Sequence, residues 1–252
     1  MTASRRFFVL GTAALIACST AQAWSWSWGS GERVAGNGDV VTEPRDLGSF
    51  DGVGLSGGFD VIIRQGSTAR VEVKADRNLL PYMETRVSDG AKGRTLEIGP
   101  KRGYQLSGSV NPVITIEMPT LRSVAVAGSG TVKVQAIKTA GVDASVAGSG
   151  DIRFADLAAE RAGFKVSGSG DIAASGRAGQ VTVSIAGSGD VKVAELAADE
   201  VKVSIAGSGD AQVQATKRLN VSIAGSGDVR YVGSPEVSSS IAGSGRVRRL
   251  GQ

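Results

Sequence analysis

Ile205-Ala206-Gly207-Ser208-Gly209-Asp210-Ala211 is the stretch on which the fold turns. Its centre, Gly-Ser-Gly, recurs from Gly128, Gly148, Gly168, Gly187, Gly207, Gly225 and Gly243, so that successive copies stand 18 to 20 residues apart. A fixed period of this length marks a solenoid, in which each repeat forms one coil and packs on its neighbours alone. Aligning the copies on their first Gly exposes a second regularity. Two positions before it stand Val126, Val146, Val166, Ile185, Ile205, Ile223 and Ile241; four positions after it stand Val132, Ile152, Ile172, Val191, Ala211, Val229 and Val247. Even offsets are apolar and odd offsets polar or small, which is the period of a strand with one face buried. Glycine between such strands allows a sharp corner and a close backbone approach. Equivalent strands are expected to lie parallel, and the coil to wind right-handed as crossover connections do. The predicted fold is therefore all-β, a right-handed parallel β-helix with coils of about 18–20 residues.

Composition agrees. Of 252 residues only 5% are aromatic and 36 are Gly, which suits a thin stack filled by Val, Ile and Ala. The coils are expected to be irregular over 46–120 and regular over 121–252. In the irregular part Phe59 to Gly66, Arg70 to Lys74, Thr95 to Ile98 and Val113 to Met118 alternate as strands do. Asn78 to Thr85 suits one short helical turn.

Residues 1–23 read as an export leader, with Arg5 and Arg6 before the apolar run Phe7 to Ala17. That run is shorter than the ~20 residues of a membrane span. Ser4 to Leu10 resembles a twin-arginine signal, and the ordinary export route stands beside it. Two processing readings also stand side by side: cleavage after Ala23, or a lipobox at Leu15 to Cys18 that leaves Cys18 lipidated as a membrane tether. Either one sends the protein to the periplasm or to the outer membrane and cell surface. Residues 24–45, with Trp24, Trp26 and Trp28 and then Gly36-Asn37-Gly38-Asp39, read as a flexible tether. The β-helix domain is expected over 46–252.

The formal charge is +4, and the leader carries two Arg and no acid, so it falls to +2 on cleavage. No dense basic block with interleaved aromatics accompanies it, and no nucleic-acid partner is expected. Cys18 is the only cysteine, so no internal disulfide is expected.

Phe50-Asp51-Gly52-Val53-Gly54-Leu55-Ser56-Gly57-Gly58-Phe59-Asp60-Val61, followed by Ala-Gly-Ser-Gly-Asp repeats, resembles the putative auto-transporter adhesin "head GIN" domain family. The resemblance runs from about Leu47 to Tyr231. It implies an exported β-solenoid and carries over no catalytic residue. An auto-transporter needs a C-terminal membrane barrel; the chain ends in Val247-Arg248-Arg249-Leu250-Gly251-Gln252, so self-translocation is not expected.

The chain has no histidine, which removes Ser-His-Asp and Cys-His catalysis. Gly54-Leu55-Ser56-Gly57-Gly58 spells G-x-S-x-G and Gly52 to Gly57 spells G-x-G-x-x-G, but neither precedes a helix, and a Gly-rich turn accounts for both. The sharper candidates are Asp151, Asp171, Asp190, Asp210 and Asp228, each directly after a Gly-Ser-Gly. Stacked on consecutive coils they form a carboxylate ladder. It reads either as a calcium ledge, since hard cations take oxygen ligands, or as a surface column neutralised by Arg153, Lys192, Arg230 and Arg248 two residues on. No other cofactor is expected. The Ser column is expected to bond hydroxyl to hydroxyl along the corner. Arg246, Arg248 and Arg249 at the last coil are expected to prevent end-to-end stacking. The functional expectation is a non-enzymatic envelope protein, adhesin-like or structural, that meets an envelope protein or glycan; the alternative is a carbohydrate-active β-helix enzyme.

Overall fold

The computed structural model describes residues 31–90 and 93–251. Alternating β-branched residues favour extended backbone, and five long strands result: Thr131–Gly148, Asp151–Gly168, Asp171–Gly187, Val191–Gly207 and Ala211–Gly225. Each makes one coil and lies parallel to the next. Gly128, Gly148, Gly168, Gly187, Gly207, Gly225 and Gly243 fall into one paired column. The predicted solenoid is the architecture found, all-β and of about 6 turns. Coils of 20, 19 and 18 residues coexist because the length differences are absorbed away from the corner, at register shifts between Phe154 and Leu157, Ala173 and Ser175, and Val193 and Ala197.

The aliphatic ladders point inward. Val126, Val146, Val166, Ile185, Ile205 and Ile223 are buried, and so are Val132, Ile152, Ile172, Val191, Ala211 and Val229. Burying each Val or Ile side chain of these ladders contributes roughly 1.5–3 kcal/mol. Phe154 and Phe164 meet edge-on in the same core, their ring centroids 6.1 Å apart.

The irregular part departs from the expectations in three ways. First, Gly52–Gly57 is a strand, not a Gly-rich turn. It pairs with Ser123–Gly128, which puts Gly57 in the corner column beside Gly128. Second, the coils are not stacked in sequence order here. Gly93–Pro100 lies beside Gly52–Gly57 and Val113–Met118 beside Asp60–Gln65, both parallel, so a later stretch of chain supplies the coil below an earlier one. Antiparallel strands close this end: Met83–Gly90 on Gly93–Pro100, and Val40–Arg45 on Arg70–Asp76. Third, the tether expected over 24–45 does not extend through its second half. Glu32–Ala35 pairs with Tyr104–Ser107, and Val40–Arg45 belongs to the closing layer. Its Trp, Gly and Ser content suggested a spacer, but the hydrogen bonds that order its second half come from partners far along the chain. The leader, Cys18 and the three tryptophans lie outside the described residues. The expected helical turn is present as a 3-10 turn, Leu80–Tyr82.

Candidate functional site

The corner is built by backbone. Gly207 has φ +133° and Gly209 is buried; a Cβ at either one would overlap a carbonyl of the coil below, Gly187 or Gly189. Between them Ser208 donates its N–H to the Gly187 carbonyl at 2.9 Å, and the Ser169, Ser188, Ser226 and Ser244 amides do likewise on their own coils. The Ser side chains are exposed. Hydroxyl-to-hydroxyl bonds along this column are not found among the described residues, because the amide already makes the contact.

The five aspartates do stack. Pairing places Asp151 beside Asp171, and the later ones follow through side-chain contacts. Asp171 Oδ1 accepts the Asp190 N–H at 3.1 Å, Asp190 Oδ1 that of Asp210 at 3.1 Å, Asp210 Oδ1 that of Asp228 at 2.9 Å, and Asp228 Oδ1 that of Arg246 at 3.0 Å. In the later coils one carboxylate oxygen thus takes the place of the backbone acceptor that the Asp151 and Asp171 amides find in Gly130 and Gly150, and joins each coil to the next. The second oxygen faces cations: Lys192 lies 2.9 Å from Asp171 and 3.4 Å from Asp190, Arg153 3.5 Å from Asp151, and Arg230 3.4 Å from Asp210. The hydrogen bond to Asp171, with further help from Asp190, raises the Lys192 ammonium above the ordinary lysine range. Among the described residues no group of three or more carboxylates, thiols or imidazoles is arranged to hold a metal ion. The ladder's carboxylates hydrogen-bond to the next coil and pair with neighbouring cations.

The Ser56 hydroxyl, formally the centre of a nucleophile motif, donates to the Ile98 carbonyl at 3.1 Å within the sheet. Two of the clefts among the described residues are shallow and lie at the surface. One of about 570 Å³ lies over Ala155, Ala173, Ser175 and Ala194, where the register shifts, with Lys133, Arg153 and Lys192 at its rim. The other, of about 560 Å³, lies beside Arg45, Leu80 and Met83; its carboxylates Glu43 and Glu84 pair with Arg45 and Arg86 at 3.0 and 3.2 Å.

One polar residue is missed by any reading of the repeat. Asp76 is fully buried in the closing layer. It accepts the Gly38 N–H, the Ser109 N–H and the Ser109 hydroxyl, each at 2.7 Å. These bonds, the Ser109 hydroxyl foremost, hold its carboxyl below the usual carboxylate range against the opposing effect of burial. The signal available in sequence was faint: a Cβ on Gly36 would overlap this carboxylate, and one on Gly108 the Val110 carbonyl beside it.

Residues 49–235 match the family described as "Putative auto-transporter adhesin, head GIN domain". No curated protein matches the chain. Among solved structures, a "putative lipid binding protein" from Parabacteroides distasonis is 27% identical with TM-score 0.71, covering 87% of this chain and 100% of its own. A "putative adhesin" from Bacteroides fragilis is 20% identical with TM-score 0.76, covering 86% and 100%. Another from Parabacteroides merdae is 24% identical with TM-score 0.69, covering 87% and 100%. The last two share the fold at low identity. With the family match spanning residues 49–235, well over half of the chain, the chain belongs to the head GIN domain family.

Proposed function

We propose that this protein is an exported, non-enzymatic binding module of the bacterial cell envelope, acting in the periplasm or on the cell surface. The carrying observation is the even spread of its charges. Catalysis needs a few groups converging on one reacting centre, whereas the acids here repeat coil by coil, each bonded to the next coil or to a neighbouring cation. A stiff rod with repeating faces suits recognition of an extended partner, a glycan or an envelope protein. The family description supports an adhesin-like role, and the 27% identical relative is described as lipid binding, which adds lipid to the ligands worth testing. Cys18 as a lipidated anchor, or release after Ala23, sets how the module is held.

A glycan array, an envelope-lipid overlay and a polysaccharide hydrolysis assay on the mature protein test this reading. Saturable binding without product is expected; release of product would replace it with the carbohydrate-active enzyme. Mass spectrometry of the mature N-terminus distinguishes a lipidated Cys18 from a free Trp24.

A further inference from the structure

Among the described residues, the solenoid's core is left uncovered at one end. In the last coil Val237 and Ile241 continue the inward ladders, paired with Leu219 and Ile223, yet they are 38% and 41% exposed. Every residue of the strand Glu236–Gly243 is exposed. Among the described residues this strand pairs on one side only, with Ala211–Gly225. Its other edge presents a row of N–H and C=O groups, the template for one more strand.

Charge is one-sided at the same place. The acidic column ends at Asp228, and Arg246 takes its position on the last coil. Arg248 continues the basic column, paired with Arg230, and Arg249 follows it with its guanidinium on Ser234 Oγ at 2.8 Å. Val229 to Gly251 holds four arginines and a single carboxylate, Glu236; Arg230 already pairs with Asp210, and Arg246, Arg248 and Arg249 are the ones at the open end.

We propose that the last coil is a docking edge for an extended, acidic segment of a partner polypeptide, which adds as a further strand. The open edge supplies backbone hydrogen bonds, Val237 and Ile241 receive alternate apolar side chains, and Arg246 and Arg248 pair with carboxylates. A second copy of this chain fits less well. Meeting C-terminal end to C-terminal end would bring two sets of arginines together. The opposite end offers strands with Pro44 and with charges already paired, Glu43 to Arg45 and Glu84 to Arg86. A lipid headgroup or anionic glycan would answer the arginines but leave the strand edge and the two aliphatic side chains without partners. The inference rests on the reading of this chain as a binding module and names one contact of it.

The test titrates a fluorescent ten-residue peptide of alternating Val and Asp into the full mature chain and follows anisotropy. Binding is expected to weaken tenfold or more when Lys replaces Asp in the peptide. A similar loss is expected when alternate peptide amides are N-methylated, which removes strand pairing while the charge stays. The double variant V237K/I241K should lose the interaction, and R246E/R248E/R249E should turn the preference toward the Lys peptide. Equal binding of the N-methylated peptide would overturn the proposal. So would no peptide binding beside Arg-dependent binding to phosphatidylglycerol vesicles, or a wild-type dimer that V237K/I241K abolishes. If the peptide fails while a glycan or lipid hit binds V237K/I241K as it binds wild type, the docking edge falls and the binding-module reading stands.

Discussion

At the N-terminal end the outermost strands, Val40–Arg45 and Met83–Gly90, run antiparallel to the strands they cover, whereas at the C-terminal end Glu236–Gly243 and Val247–Arg249 repeat the coil beneath them. The first end breaks the repeat in order to finish it. Leu79, Leu80 and Met83 bury themselves over the core there, Pro44 interrupts the edge, and Asp76 ties residues 38 and 109 to the closing layer. Among the described residues the second end keeps the repeat and leaves its aliphatic positions exposed beside a group of arginines. A repeat specifies how a coil sits on its neighbour, but a stack ends only where the sequence stops repeating.

The sharpest way to break this comparison is through glycine. Gly209→Val puts a side chain into the Gly189 carbonyl and the Ile185 side chain, and is expected to cost about 4 kcal/mol or more in urea unfolding. Gly103→Asn, near the N-terminal closure, meets open space at φ +88° and should cost less than about 1 kcal/mol, since Asn tolerates that backbone. Equal costs would show that the corner glycines serve conformation and not close approach.

Next comes the buried carboxylate. The folded-state pKa of Asp76 is depressed, so its contribution is present above the unfolded value of about 3.9 and is lost as pH falls through the lower, folded one. The Gly38 and Ser109 amides are expected to lose hydrogen-exchange protection in acid before the amides of the regular coils do. Asp76→Asn should expose them at neutral pH. If both ends open together as pH falls, the closing layer is not a separate unit.

At the other end, replacing Arg246, Arg248 and Arg249 by Val is expected to produce concentration-dependent oligomers in sedimentation velocity. A variant that remains monomeric would show that the last coil needs no charged guard.

The smallest effects belong to the columns along the regular faces. Lys192→Met should cost under about 1 kcal/mol, because its ion pairs with Asp171 and Asp190 are half exposed. Millimolar calcium should leave the melting temperature unchanged, with Asp171, Asp190 and Asp210 already engaged by amides and cations. A rise of several degrees would restore the calcium reading of that ladder.

The regular half was legible because its determinants are local. Val183, Ile185, Gly187 and Gly189 announce an inward pair and a corner within seven residues, and each coil repeats the message to its neighbour. The aspartates were legible as a column, but their second use was not. That Asp190 Oδ1 accepts the Asp210 N–H depends on how one coil settles on its neighbour, which no single repeat contains. Gly57 was hidden for a related reason: 71 residues of chain separate it from its neighbour Gly128 in the corner column.

From its sequence alone this protein is a stack of parallel coils with glycine corners, aliphatic interior and charged exterior, because period and polarity are set residue by residue. Only the tertiary structure decided the order of the first coils, the antiparallel closure, the partners of Asp76 and the bareness of the last strand. Each of these depends on which distant segments meet, and a pairing between distant strands leaves no periodic trace in either one.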